Sequence, residues 1–164
     1  MHDPLAIYLH DHLAGSHFAI ELLDSLHDRY KDDDLGRFAL ALSAEVKRDQ
    51  DTLQQIIDHV GRAQLDLTEA VGWASEKVSQ FKMRRDDSGG RLGTFEALEA
   101  LSLGIRGKLA LWRALPVIRE VDQRVPAEDF GRLAVRADGQ FGSVEAQRLQ
   151  LIHLAFRPPS KVRK

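Results

Sequence analysis

Cysteine is absent from the 164-residue chain, which excludes disulfides, thiolate metal ligands and thiol nucleophiles. Charge of one sign is also lacking. The formal net charge is −2, so the chain as a whole has no electrostatic reason to bind nucleic acid. No run of about 18 apolar residues exists that could form a membrane-spanning helix. The opening Met1-His2-Asp3-Pro4 has neither the basic region nor the apolar core of a secretory signal. The expected compartment is therefore the cytoplasm, with no membrane or nucleic-acid partner. A Gly-Lys-Ser/Thr sequence is missing after Asp87-Ser88-Gly89-Gly90, so that loop is not a phosphate-binding P-loop. Basic residues concentrate only in Arg157-Pro158-Pro159-Ser160-Lys161-Val162-Arg163-Lys164, where no hydrophobic anchor accompanies them. Residues 158–164 read as a flexible basic tail on a single helical-bundle domain, 1–157.

What the chain does have is helical periodicity. A first helix opens on Asp3 as cap and Pro4 at the first helical position, carries Leu5, Leu9, Leu13, Ile20, Leu23 and Leu26 on one line, and ends near Tyr30. After the charged turn of residues 31–34, a second helix buries Leu35, Ala39, Leu42, Val46, Leu53, Ile57 and Val60, with Gly61 as its cap. A shorter helix is expected from about Thr68 to Arg84. A third long helix starts at Thr94 with Phe95, Leu98, Ser102, Ile105, Leu109 and Trp112 aligned, and Pro116 should kink its last turns. A fourth follows Pro126, with Phe130, Ala134, Ala137, Phe141, Val144, Leu151 and Ile152 inward, and stops before Pro158. Helices of about 27 residues span roughly 40 Å. Short connections make the first and last pairs antiparallel hairpins, and the roughly 33-residue link between the hairpins is long enough to run the bundle's length. The fold class is thus all-α: a four-helix bundle with a long crossover carrying a short extra helix. A five-helix bundle with residues 68–84 as an equal member is the alternative.

Tyr8-Leu9-His10-Asp11-His12-Leu13-Ala14-Gly15-Ser16 resembles the opening of a group of uncharacterised bacterial ferritin-like proteins. So does Leu98-Glu99-Ala100-Leu101-Ser102-Leu103-Gly104-Ile105-Arg106-Gly107-Lys108-Leu109-Ala110-Leu111-Trp112-Arg113-Ala114-Leu115. The resemblance implies the ferritin-like fold and no particular activity.

Ferritin-like oxidases hold two metals with one Glu on each of two helices and Glu-x-x-His on each of the others, because positions three apart share a helix face. This chain departs from that pattern. Its corresponding stretches are Glu45-Val46-Lys47-Arg48 and Glu145-Ala146-Gln147-Arg148. Arginine has no lone pair to donate. Arg106 falls near a ligand position, and Arg148 lies on the inward line of the last helix. Only Asp24-Ser25-Leu26-His27 has the acid-x-x-His spacing, near a helix end. Buried charges must be paired, so ion pairs are expected where a ferritin has metals: Glu45 with Arg106, Glu99 with Arg148, and His12 with Asp49. His12, Ser16, Glu45, Asp49, Glu99, Arg106, Asp138, Glu145 and Arg148 form the expected polar interior. The alternative is an iron or manganese site built from His12, Asp49 and Asp138. His10, His17, Glu21 and Asp24 read as a solvated outer face, and Trp73 and Trp112 as packing residues.

The third helix is apolar on more than one side, with Leu103, Ala110, Leu111 and Ile118 off its core line and Gly104 and Gly107 beside them. A helix apolar all round is buried all round, and glycines in a helix accompany close approach of another backbone. The expectation is a homodimer: a non-catalytic, cofactor-free bundle acting by self-association or partner binding. The alternatives are a metal-binding or redox protein with an atypical His/carboxylate site, and a carrier of a small apolar ligand.

Overall fold

Asp3 accepts hydrogen bonds from the backbone N–H groups of Leu5 (3.1 Å) and Ala6 (3.4 Å), and Pro4 fills the first helical position. Those features start α1 (Pro4–Arg29), which Tyr30 caps by donating its N–H to Leu26 and His27. The computed structural model describes residues 3–61 and 91–157. The expected helix at 68–84, Trp73 and the tail 158–164 lie outside them. α2 (Asp34–Val60) follows and closes on Gly61, whose φ of 98° favours a residue without Cβ. Next come α3 (Arg91–Val121), α4 (Phe130–Gln150) and the single turn α5 (Ile152–Ala155). The described residues are helical with no strand.

Helix directions follow from the side chains that meet. Asp24 accepts from Ser43 (2.7 Å) and Ser16 from Gln50 (2.9 Å), so α1 and α2 are antiparallel. Arg124 on the loop after α3 grips Asp3 while Tyr30 meets Thr94 (2.7 Å), which makes α1 and α3 antiparallel. Arg148 with Glu99 and Arg106 with Asp138 set α3 against α4 in the same way. Gln140 reaches back to Glu45 (2.9 Å), making α4 antiparallel to α2. Consequently α2 and α3 run parallel, and Gly61 and Arg91 stand at opposite ends of the bundle.

One continuous core fills the space between these helices. Every residue of the expected α2 line is buried, as are Phe95, Leu98, Ser102, Ile105, Leu109 and Trp112 of α3. One boundary differs from expectation. Thr94 lies inside α3 rather than capping it, because the helix begins at Arg91 and the Thr94 hydroxyl, 2 % exposed, is matched to Tyr30. Pro116 lies within the last turns of α3, which ends at Val121. In α4 the buried set is Phe130, Leu133, Ala137, Gln140 and Val144, while Ala134 and Phe141 are only half-buried. The helix is therefore turned toward Leu133 and Gln140, and this rotation decides which polar groups enter the interior.

Candidate functional site

Among the described residues Asp49 is the most deeply buried charge, 2 % exposed, in the middle of α2. Its two carboxylate oxygens take one cation each. Lys108 of α3 lies 2.6 Å from Oδ2, and Arg136 of α4 pairs with Oδ1. Gln140 ties the group together: its amide nitrogen donates to Glu45 (2.9 Å) and to Asp49 (3.3 Å), and its carbonyl accepts from Lys108. Two carboxylates and two cations balance across three helices. Burial nevertheless lowers the pKa of Lys108, more than the neighbouring Asp49 raises it.

This centre uses other residues than the sequence pattern suggests. Glu45 does not meet Arg106. Arg106 is half exposed, paired with Asp138 (3.2 Å) and stacked over the Phe141 ring at 3.6 Å, because it lies on the flank of α3 away from α2. His12, Asp49 and Asp138 are not gathered into a metal site either. The turn of α4 leaves Asp138 on its outer side, 59 % exposed, and Arg136 takes the inward place. Among the described residues no group of three or more His, Asp or Glu is arranged to hold a metal ion. Lys108 and Gln140 were legible in principle. Leu101, Ile105, Lys108, Trp112 and Leu115 keep strict four-three spacing along α3, as do Leu133, Ala137, Gln140 and Val144 along α4. A polar residue within such a line points inward.

Arg148 does reach Glu99, at 3.1 Å, but its closer partner is Glu145 one turn back at 2.8 Å, and its guanidinium lies 5.0 Å above Phe95. Glu145 also accepts from Ser102 (2.6 Å). Arg148 and then Ser102 hold its carboxyl below the usual carboxylate range. On α1, Asp24 and His27 are not poised as ligands. Asp24 takes Ser43 and Lys47, and His27 Nδ1 stands 3.0 Å from the Gly36 carbonyl. His10, expected on a solvated face, has both ring nitrogens out of solvent contact and without a hydrogen-bond partner.

A cavity of about 210 Å³ opens between α1, α2 and α3, beside the Asp49–Lys108 pair. His12, Ser16 and Gln50 are at its polar side, and Val46, Leu53, Ile105, Leu111 and Trp112 at its apolar side. His12 packs edge-on against Tyr8, with ring centroids 4.8 Å apart, and makes no contact with Asp49 that would pair them. Burial lowers its pKa below the ordinary 6.5, against a smaller opposing pull from Asp11. A histidine harder to protonate folded than unfolded contributes its stability above the unfolded value. It loses that stability as pH falls through the folded one, because the unfolded chain takes up the proton first. Urea midpoints measured from about pH 8 down to about pH 5 should fall for the native chain and fall less for His12→Phe. Parallel curves would show that His12 is solvated.

The second feature is the outer side of α3. Leu103, Gly107, Ala110, Ala114, Val117 and Val121 follow one another at four-three spacing on the face opposite the core line. Leu103 is 70 % exposed, Val117 62 % and Val121 87 %. No described atom lies within 4 Å of where a Cβ on Gly104 or Gly107 would stand, so these glycines do not serve close packing between the described helices. Leu111 is buried against the cavity, which Gly104 and Gly107 also line. No described helix is long and apolar enough to cross a membrane. No protein-family model, curated protein or solved structure matches the chain.

Proposed function

We propose that this is a non-catalytic helical module of ferritin-like arrangement, braced internally by ion pairs and acting by self-association through the outer face of α3. The bundle reading is supported by the order of neighbours, each antiparallel to the next, with α2 and α3 parallel. The observation that carries the association is the apolar stripe from Leu103 to Val121, directly opposite the buried side of the same helix.

The stripe is complementary to itself across a two-fold axis near Trp112. In the antiparallel crossing Ala110 meets Ala114, Gly107 meets Val117, and Leu103 meets Val121. Small side chains at the crossing point allow close approach, and larger ones fill the space where the helices diverge. The same pairing brings Arg106 of one copy toward Glu120 of the other. Two-fold dimers are the commonest closed assemblies, and their interfaces must be self-complementary in this way.

Sedimentation equilibrium over a concentration series tests the proposal. The native chain should sediment as a dimer and Ala110→Glu as a monomer with unchanged helix content, since the glutamate enters an exposed helical position. A native chain that stays monomeric at the highest concentration rules the interface out, as does an Ala110→Glu variant that still dimerises.

A further inference from the structure

We propose that the cavity between α1, α2 and α3 binds a small primary amine with an apolar body, the ammonium held by Asp11 and His12 and the body lodged among the apolar side chains of the wall. Asp11 and His12 belong to α1, away from the outer stripe of α3, so this stands apart from the self-association reading.

Two polar side chains of the wall are unengaged. Asp11 and His12 both line the cavity. Among the described residues, neither side chain has a hydrogen-bond or ion-pair partner. His12 is half-buried, yet its ring nitrogens are not sealed from open space as those of His10 are. Burial favours its neutral form, which keeps one nitrogen lone pair free to accept an N–H. Neighbouring groups are matched by contrast. Ser16 donates to the Leu13 carbonyl (2.6 Å) and accepts from Gln50 (2.9 Å), while Lys108 and Arg136 both end on Asp49. An imidazole acceptor beside a free carboxylate suits an ammonium group, which carries three donors and no acceptor.

Charge selects in the same direction. Asp49 is neutralised by its two cations, whereas Asp11 has none. Its carboxylate is close enough to pull the His12 pKa upward against the larger effect of burial. An anionic ligand would meet a charge of its own sign there, and a cation an opposite one.

Glycine makes the room. Gly15 of α1 and Gly104 and Gly107 of α3 all line the cavity, although glycine weakens a helix relative to alanine. No described atom lies within 4 Å of where a Cβ on any of them would stand, so the space before them is empty. A closed apolar cavity of about 150 Å³ takes up benzene. At about 210 Å³ this one has room for a ring with a one-carbon arm, with Leu53, Ile105 and Leu111 to pack against the ring.

The probes are benzylamine, benzyl alcohol and benzoate, which share a ring and differ in charge. Each is titrated at neutral pH into the full-length ¹⁵N-labelled protein, and the amides of Gly15, Gly104 and Gly107 and the ring nitrogens of His12 are followed. Benzylamine should bind saturably, move these resonances and bind about tenfold tighter than benzyl alcohol, the ratio for a hydrogen bond that involves a charged group. Benzoate should bind more weakly than either. Asp11→Asn, at an exposed position that leaves the fold intact, should weaken benzylamine about threefold and leave benzyl alcohol unchanged. Adding His12→Leu should make the two bind alike. The proposal is overturned by the absence of saturable benzylamine binding, by benzyl alcohol or benzoate binding as tightly, by shifts that miss the three glycines, or by an Asp11→Asn chain with undiminished affinity for benzylamine.

Discussion

Replacing Asp49 by asparagine should cost about 3–5 kcal/mol of stability, the range for removing one partner from a buried ion pair. The size of the effect comes from what is left behind. Lys108 and Arg136 both end on this carboxylate, and Lys108 is only 14 % exposed. Without Asp49, two cations would share one interior with Glu45 as the sole neighbouring anion, itself reached through Gln140. Asparagine keeps the shape and one acceptor but removes the charge, so the loss reads electrostatics rather than packing. Guanidinium unfolding with an unchanged slope is the measurement. For a chain of this size the melting temperature should fall by roughly 6–20 °C. The companion experiment replaces Asp49 and both of its cations, as Asp49→Leu, Lys108→Met and Arg136→Leu together, and leaves the half-buried Glu45 with Gln140 and solvent. Buried ion pairs often lose nothing to apolar residues of similar volume, because the desolvation they suffer matches the attraction they gain. The triple variant should therefore be close to native in stability while the single variant is not. A single variant that loses less than about 1 kcal/mol would mean that water reaches the cluster.

Gly36→Ala should destabilise the chain by about 3 kcal/mol, although alanine is the better helix former by about 1 kcal/mol. Gly36 lies in the first turn of α2, where the chain folds back over the end of α1. A Cβ there would stand 1.9 Å from the Tyr30 carbonyl oxygen and 2.4 Å from its carbon. Both are backbone atoms that cannot swing aside. Relieving the clash means opening the hairpin, which disturbs the His27 contact with the Gly36 carbonyl and the Tyr30–Thr94 hydrogen bond between α1 and α3. Gly142 in α4 is the control. A Cβ added there meets nothing within 4 Å, so Gly142→Ala should gain up to about 1 kcal/mol from helix propensity alone. Thermal unfolding of the two variants should move in opposite directions. A stabilised Gly36→Ala chain would show that the turn between α1 and α2 is looser than its geometry.

The candidate site illustrates how far the sequence carries. Asp49 was marked as interior by its place among Val46, Leu53 and Ile57, and Arg148 by its place beside Val144. Glu99 and Arg148 do come together because both lie on adjoining flanks of an antiparallel hairpin, where levels can be counted from the connection. Counting levels failed for Arg106, because level says nothing about rotation. The line of Phe130, Ala134, Ala137 and Phe141 and that of Leu133, Ala137, Gln140 and Val144 are both helical stripes of α4, and only packing chose the second. The choice carried Arg136 inward and left Asp138 with Arg106 on the outside.

The sequence by itself determined the helices and most of their ends. A cap such as Asp3, the Gly61 terminator and the spacing of Leu35 through Val60 act within one or two turns, so the information lies in neighbouring residues. It also determined that α3 has two apolar faces, because that too is a property of one helix. The tertiary structure alone decided which cations meet Asp49, that a cavity opens beside the Asp49–Lys108 pair, and that Gly36 has no room for a methyl group. Each of these depends on the rotation and distance of helices far apart in the chain. The free energy that fixes those is the sum of many packing contacts, not the preference of any one segment.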